Sequence, residues 1–273
     1  MKKMKTIKLL VFLIMLFQMD TINADSKKIK YCETSKEFII TMEFLKDNNK
    51  VFDNKVKVID LAKNVASGCD GAAKRFIETY LMMSKVGFPT HKAVKYGVKL
   101  SHLSNDHKDT FQTLFKMGYL KKYLDFDLFH SLKMTDNLML AHNGNIKIAK
   151  KDFSNFVQFC VGTKHMDLPR KQCANFSTKM ALMSAKYKKE IFSEFKELFE
   201  FLTQNNMGPK LTTNKAFQEA QSILSESPIA GSNFMAVYKY SQSKNGLKLG
   251  VNEAIKTAKS MSFASRKIAS EPK

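Results

Sequence analysis

The residue types that most often carry chemistry are present, but their spacing forms no catalytic or metal-binding motif. His102 and His107 are five residues apart, so on a helix they would not share a face as an i, i+4 metal pair does. The sequence contains no H-E-x-x-H zinc motif, no G-x-S-x-G nucleophile turn and no glycine pattern for nucleotides. The six histidines, which we interpret as structural, are His91, His102, His107, His130, His142 and His165. We therefore predict no catalytic residue, no metal ligand and no cofactor.

Three pairs of nearby carboxylates are the strongest candidates for acid–base catalysis. They are Asp125 with Asp127, Asp106 with Asp109, and Glu194 with Glu197. The first pair is spaced i, i+2 among leucine and phenylalanine residues, which predicts a packed helix with the two acids on different sides rather than a calcium loop. The other two pairs are spaced i, i+3 and would share a helix face. A hydrolase with paired carboxylates needs a second acid opposite the first, and nothing in the sequence places one.

Residues 67–71 (Ser-Gly-Cys-Asp-Gly) form the densest cluster of small residues in the chain. The cluster lies at the start of a predicted helix, and the free N–H groups at a helix start can bind an anion. A turn between two helices explains the same residues without any ligand. We favour the turn.

Apolar periodicity predicts helices along most of the chain. The predicted helices cover 37–46, 56–66, 69–84, 90–103, 106–117, 120–132, 153–160, 173–187 and 192–202. Residues 138–148 contain an Asn-Gly turn signal and are interpreted as a loop or tight hairpin that could include a short strand pair. Alternation typical of strands is almost absent elsewhere. We predict an all-α fold of stacked helical hairpins, with a compact irregular bundle as the open alternative.

The apolar pattern of the first predicted hairpin returns near the end of the chain. Shifted by 158 residues, Ile59, Ala62, Val65, Ser67, Phe76 and Tyr80 fall on Phe217, Ala220, Ile223, Ser225, Phe234 and Tyr238. A weaker copy lies between them, over 153–202. Repeats that stack must agree at apolar and turn positions, so the pattern favours an irregular α-solenoid-like array of about three units.

The first 24 residues have the order of a secretory signal peptide. Lys2, Lys3 and Lys5 precede an apolar run over 9–17, and Ala24 offers a small residue at the cut. The rival interpretation is an uncleaved anchor, but nine apolar residues fall short of the ~20 that span a bilayer. No later segment meets that length. The predicted divisions are a signal peptide over 1–24, a lead-in with a short helix over 25–54, one helical domain over 55–262 and a flexible tail over 263–273.

The formal net charge is +20, and the leader accounts for +3 of it, which leaves +17 on the remainder. Such a charge favours contact with polyanions. Arginine recognises phosphate with paired hydrogen bonds, yet 42 of the 45 basic residues are lysine. Solvated lysine faces are therefore favoured over a phosphate-binding patch, and nucleic acid is not the expected partner.

Four cysteines follow the leader, at positions 32, 69, 160 and 173, and no C-x-x-C pair is present. An even number in an exported protein allows two disulfides in three connectivities, or four free thiols. Cys160 ends one predicted helix and Cys173 begins the next, so a hairpin could bring them together. We favour this pair, with Cys32 tying the lead-in to Cys69.

The expected function is binding rather than catalysis. We predict an exported helical protein, periplasmic or extracellular, with no integral membrane segment after leader removal. It would act as a binding or scaffold module for a protein or an anionic polymer through its lysine-rich surface. The alternative is an enzyme that acts on envelope polymers through acidic residues that the sequence does not identify. A third interpretation is an interaction subunit whose charge serves only solubility.

Overall fold

The computed structural model describes residues 32–48, 54–141, 145–162, 168–204 and 208–269. Within these ranges all regular structure is helical and no strand occurs, which confirms the all-α prediction. The predicted leader lies outside the described residues. The helices are α1 (Thr34–Asp47), α2 (Lys55–Ala66), α3 (Ala72–Lys85), α4 (Thr90–Ser101), α5 (Asn105–Tyr119), α6 (Leu128–Ala141), α7 (Ile146–Val161), α8 (Arg170–Tyr187), α9 (Phe192–Thr203), α10 (Thr213–Leu224), α11 (Ala230–Gln242) and α12 (Val251–Ala269).

The chain divides into two compact units, Met1–Ala73 and Lys74–Lys273. The described part of the first unit holds α1, α2 and the turn that leads into α3. The domain bounds expected from the sequence stay a prediction, although α12 continues to Ala269, past the point where the tail was expected to begin. Across the described ranges, no helix is both long enough and apolar enough to cross a membrane.

Neighbouring helices pack against each other as hairpins, as the apolar spacing predicts. In the first unit α1 packs on α2, and in the second unit α5 packs on α6, α7 on α8, α9 on α10 and α11 on α12. Alternate helices of the second unit also meet: α5 contacts α7, α6 contacts α8, α9 contacts α11 and α10 contacts α12. Each of these helices therefore buries two sides.

Phenylalanine rings fill the space between α7, α8 and α9. The Phe156 ring makes edge contacts with Phe176, Phe192 and Phe195, with ring centroids 5.2, 5.2 and 5.3 Å apart. Phe156 and Phe195 are fully buried. Aromatic pairs in this geometry contribute about 0.5–1.5 kcal/mol each beyond the area that they bury. This cluster is the centre of the second unit's core.

The helix starts follow the 158-residue repeat. Helices α1, α2 and α3 begin at 34, 55 and 72, and α9, α10 and α11 begin at 192, 213 and 230. Equivalent residues also make equivalent contacts. Phe76 stacks on Tyr80 with centroids 6.2 Å apart, and Phe234 stacks on Tyr238 at 6.1 Å. The repeated apolar positions therefore have the same structural role in both copies.

The turn at residues 67–71 is closed by an internal carboxylate. Glu37 on α1 is buried, and its two oxygens accept hydrogen bonds from the N–H groups of Gly71, at 2.9 Å, and Ala73, at 2.7 Å. These are the free N–H groups at the start of α3 that an external anion would need. The side chain of Glu37 occupies that place, so the cluster is a turn between helices.

Two further carboxylates perform the same role in the second unit. Asp152 on α7 is fully buried and accepts from the N–H of Ile191, at 2.7 Å, where α9 begins. Glu194 on α9 accepts from the N–H of Ser232, at 2.6 Å, in the first turn of α11. In all three cases an acid on one helix satisfies the N-terminus of the helix two further along. Within the second unit, Asp152 and Glu194 therefore link α7 to α9 and α9 to α11.

Two predicted features near α5 and α6 are wrong. Residues 138–148 do not form a hairpin, because Leu138 belongs to α6 and Ile146 begins α7; residues 142–144, with the Asn-Gly pair, lie outside the described residues. The helix predicted over 106–117 was expected to end before Gly118, but α5 continues to Tyr119. A Cβ at Gly118 would lie 2.7 Å from the Cβ of Ser131, so this glycine allows α5 and α6 to approach closely.

Replacing Glu37 with alanine tests the first of the three helix-capping acids. The variant leaves two N–H groups without an acceptor, and we expect the free energy of unfolding to fall by about 1–3 kcal/mol. Urea denaturation followed by circular dichroism measures the change. Glu43→Ala removes an exposed acid from the same helix and should change stability little. Equal losses in the two variants would contradict the capping role.

Asp152 makes stability depend on pH. Burial raises the pKa of Asp152, against the lowering effect of hydrogen bonds from Ser184 and Ile191. The folded protein then holds this proton more tightly than the unfolded chain, so the group's stabilising contribution is greatest below pH ~4 and falls as the pH rises through the raised pKa.

The test compares the parent with Asp152→Asn, which cannot ionise. Between pH 4 and pH 7 the variant should gain stability relative to the parent, as measured by urea denaturation at each pH. Asp60→Asn changes an exposed acid and serves as the control. Parallel pH profiles for the parent and both variants would disprove the effect.

Candidate functional site

A groove of about 760 Å³ lies between α6 and α8. Cavities that bind small ligands or short segments usually have volumes of about 300–1,000 Å³. The α6 wall consists of His130, Lys133, Met134 and Asn137, and the α8 wall of Lys171, Ala174, Asn175 and Thr178. Both sets have the spacing i, i+3, i+4, i+7, which is one continuous face of a helix. Two helix faces therefore form the long sides of the groove.

The two helices that line the groove run in the same direction. Arg170, the first residue of α8, donates hydrogen bonds to the carbonyl oxygens of Lys121, at 2.8 Å, and Tyr123. These carbonyls belong to the segment just before α6. The N-terminal ends of α6 and α8 are thus held together, and the groove runs along both helices from that end.

A loop closes the N-terminal end of the groove, where the sequence predicted helix. α5 ends at Tyr119 and α6 begins at Leu128, and the chain between them folds back onto α5. The N–H of Phe126 donates to the carbonyl of Gly118 at 2.9 Å, and Leu124 is fully buried. The chain has to turn between α5 and α6 for the side chain of Leu124 to be buried in this way. Asp125 and Asp127 therefore lie in a loop that lines the groove, and the prediction that they lie on different sides of a packed helix is wrong.

Asp127 caps α6 and orients His130. Its Oδ1 atom accepts from the N–H groups of Phe129 and His130, both at 2.9 Å, and its Oδ2 atom pairs with Nδ1 of His130. The backbone hydrogen bond from His130 and the one from its side chain lower the pKa of Asp127. An ionised carboxylate only accepts, so Nδ1 of His130 donates the hydrogen in this pair.

The middle of the groove combines positive charge with amide groups. Lys133 and Lys171 are exposed, and neither ammonium group has a carboxylate within ion-pair distance among the described residues. Asn137 and Asn175, on opposite walls, are exposed too. Each asparagine amide offers two donors and an acceptor. The groove can therefore bind carboxylates and polar main-chain groups at the same time.

The other carboxylates considered from the sequence do not assemble into a paired-acid site. Asp106 forms an ion pair with Lys147 at 2.9 Å, and Asp109 forms one with Lys108 at 3.2 Å. Glu194 caps α11, as described above. On the α8 wall the described lining residues include no acid, so the two groove carboxylates have none facing them.

The histidines are distributed along the chain. Only residues 91, 102, 107 and 130 fall within the described ranges, since 142 and 165 lie outside them. The described residues contain no group of three or more side chains that could hold a metal ion. His130 is the member of this set that lines the groove. An aspartate three residues before it, at a helix start, is the sequence signal that would have singled it out.

The cysteines lie in the pairing expected from the sequence. Cys32 and Cys69 have Cα atoms 5.2 Å apart, and Cys160 and Cys173 have Cα atoms 5.8 Å apart, both within the range of disulfides. The first pair links the segment before α1 to the turn before α3. The second pair links the end of α7 to the first turn of α8, which forms one wall of the groove.

Replacing Asp127 with alanine should change the tautomer of His130. Without the carboxylate nothing holds the hydrogen on Nδ1, so the Nε2-protonated form should become more populated. Imidazole 15N chemical shifts report which nitrogen carries the hydrogen. Asp125→Asn alters the neighbouring acid, and asparagine tolerates the positive φ of 53° at that position. This control should keep the parent spectrum; an unchanged spectrum in Asp127→Ala would refute the pairing.

The groove joins two lysines, two asparagines, an oriented histidine and two carboxylates in one accessible channel. No family model matches this chain, and no curated protein or solved structure matches it either. The arrangement of these side chains is therefore the basis for the functional proposal.

Proposed function

We propose that this protein is an exported, non-enzymatic binding module that engages an anionic partner through a lysine-rich helical surface. The observation that carries the proposal is the groove between α6 and α8, where Lys133 and Lys171 face solvent without a carboxylate partner among the described residues. Unpaired ammonium groups in a channel attract anions more strongly than isolated ones on a convex surface. The net charge of +17 that remains after the +3 of the leader is subtracted from +20 extends this attraction over the whole molecule.

The packing of alternate helices supports a binding role. α6 lies against α8 and α10 lies against α12, while α5, α7, α9 and α11 contact one another in succession. Stacked helical hairpins of this kind expose one extended surface made of every second helix. The proposed array would place the groove on that surface, between two of its successive members.

Export is supported by the leader pattern and the cysteines. Residues 1–24 have the order of a signal peptide, and two cysteine pairs lie at disulfide distance. Disulfides persist in oxidising compartments and are rare in the cytosol. The proposed location is the periplasm or the extracellular space, where the partner would be met.

One observation favours the alternative of an enzyme that acts on envelope polymers. Asp127 orients His130, and a histidine held by a carboxylate can act as a general base. The described α8 wall presents Lys171, Ala174, Asn175 and Thr178, which supply no second acid. Binding is therefore the function that more of the groove's side chains support.

Salt-dependent binding to polyanions tests the proposed function. We expect the purified protein to bind poly-L-glutamate and heparin at 50 mM salt, and to lose affinity steeply as salt rises, because binding releases counterions. Fluorescence anisotropy of the labelled polymers gives the affinity at each salt concentration.

Uncharged dextran is the control and should not bind. Absence of binding to both polyanions at 50 mM salt would rule out the proposed function and leave the charge to serve solubility. Binding that does not change with salt would argue against electrostatic recognition.

A further inference from the structure

The dimensions of the groove between α6 and α8 match a short stretch of extended chain. Its α6 wall runs from His130 to Asn137 and its α8 wall from Lys171 to Thr178. Seven residues of helix span about 10 Å, at 1.5 Å per residue. An extended peptide advances about 3.3 Å per residue, so about three residues fit along the walls.

The amide side chains suit the main chain of such a peptide. Asn137 and Asn175 stand on opposite walls, and the described hydrogen bonds leave the amides of both without a protein partner. Each amide can accept from a peptide N–H and donate to a peptide C=O. Met134 and Ala174 lie between the polar residues on their respective walls, and methionine adapts to many side chains. The walls therefore combine main-chain recognition with tolerance of side-chain shape.

The charges along the groove favour acidic side chains on that peptide. Lys133 and Lys171 have no ion-pair partner among the described residues. The carboxylate of Asp127 already accepts hydrogen bonds from two backbone N–H groups and pairs with His130. Among the acids that line the groove, Asp125 is therefore the one without a hydrogen-bond donor in the described structure. Lysine ammonium groups are thus available to carboxylates over most of the groove.

Phosphate polymers and nucleic acids fit the groove less well. The nearest arginine, Arg170, directs its guanidinium to the carbonyls of Lys121 and Tyr123 and does not line the groove. Single-stranded nucleic acids stack their bases on successive aromatic side chains, and the lining residues offer two rings, Phe126 and His130, of which His130 is paired with Asp127. The chemistry of the walls favours a peptide over these polymers.

We propose that the groove between α6 and α8 binds a short extended peptide segment rich in aspartate or glutamate. Asn137 and Asn175 hold its main chain, and Lys133 and Lys171 bind its carboxylates. This inference rests on the proposed function and names its partner class. The partner is an exposed acidic segment of another protein.

The probe is a fluorescein-labelled ten-residue peptide of alternating glutamate and serine, and its affinity is measured by fluorescence anisotropy with the full chain. The double variant Lys133→Gln with Lys171→Gln should bind at least tenfold more weakly. The matched control, Lys179→Gln with Lys186→Gln, removes two exposed charges from α8 outside the groove and should change the affinity less than twofold. Circular dichroism verifies that both variants are folded.

Main-chain recognition is tested separately. Asn137→Ala with Asn175→Ala keeps every charge and should weaken peptide binding at least fivefold, while binding to a heparin oligosaccharide of equal charge stays the same. An equal loss for both probes, or for neither, would overturn the peptide assignment.

The outcomes separate this inference from the proposed function. Equal weakening by the groove and control lysine pairs, with polyanion binding intact, would reject the groove and keep a general basic binding surface. A peptide of the same length with glutamine in place of glutamate should bind at least tenfold more weakly; equal affinity would reject carboxylate recognition. Failure of the parent to bind any polyanion would remove both proposals.

Discussion

Hydrogen bonds from helix N-termini to acids on distant helices determine how this structure is assembled. A helix begins with N–H groups that have no partner inside the helix, and burying them unsatisfied costs about 1–3 kcal/mol each. Glu37, Asp152 and Glu194 meet this need for α3, α9 and α11. In the second unit, where Asp152 and Glu194 each lie two helices before the one they cap, these bonds link α7 to α9 and α9 to α11.

The price of this arrangement is charge buried in the core. Asp152 is fully buried, and its Oδ1 atom lacks a hydrogen-bond partner in the described structure. Burial raises its pKa, because a low-dielectric environment disfavours the charged form. The surrounding aromatic packing, with Phe156 and Phe195 fully buried, contributes the compensating stability. Hydrogen bonds to the acid thus position the helix start, whereas apolar packing supplies the stability.

The groove depends on a further pair of alternate helices, α6 and α8. Its walls are the solvent-facing sides of two alternate helices, and its end is a loop formed because Leu124 turns inward. Arg170 holds the beginnings of both helices together through two carbonyl oxygens. Lys133 and Asn175 therefore face one channel although they are distant in sequence. The proposed peptide binding uses side chains that no single element could present.

The sequence by itself determined the helical class, the hairpin packing and the repeat, because apolar spacing and turn residues act locally or at a fixed period. It favoured one cysteine pairing among three, and the tertiary structure places those two pairs at disulfide distance. The sequence did not identify Glu37 or Asp152 as caps, since an acid in a helix has the same local pattern whether it is solvated or buried. It also misjudged Gly118 and Asp127, whose roles depend on a close helix contact and a loop. Which polar faces meet across the groove was decided by the tertiary structure alone, because that depends on contacts between helices that are not adjacent in the chain.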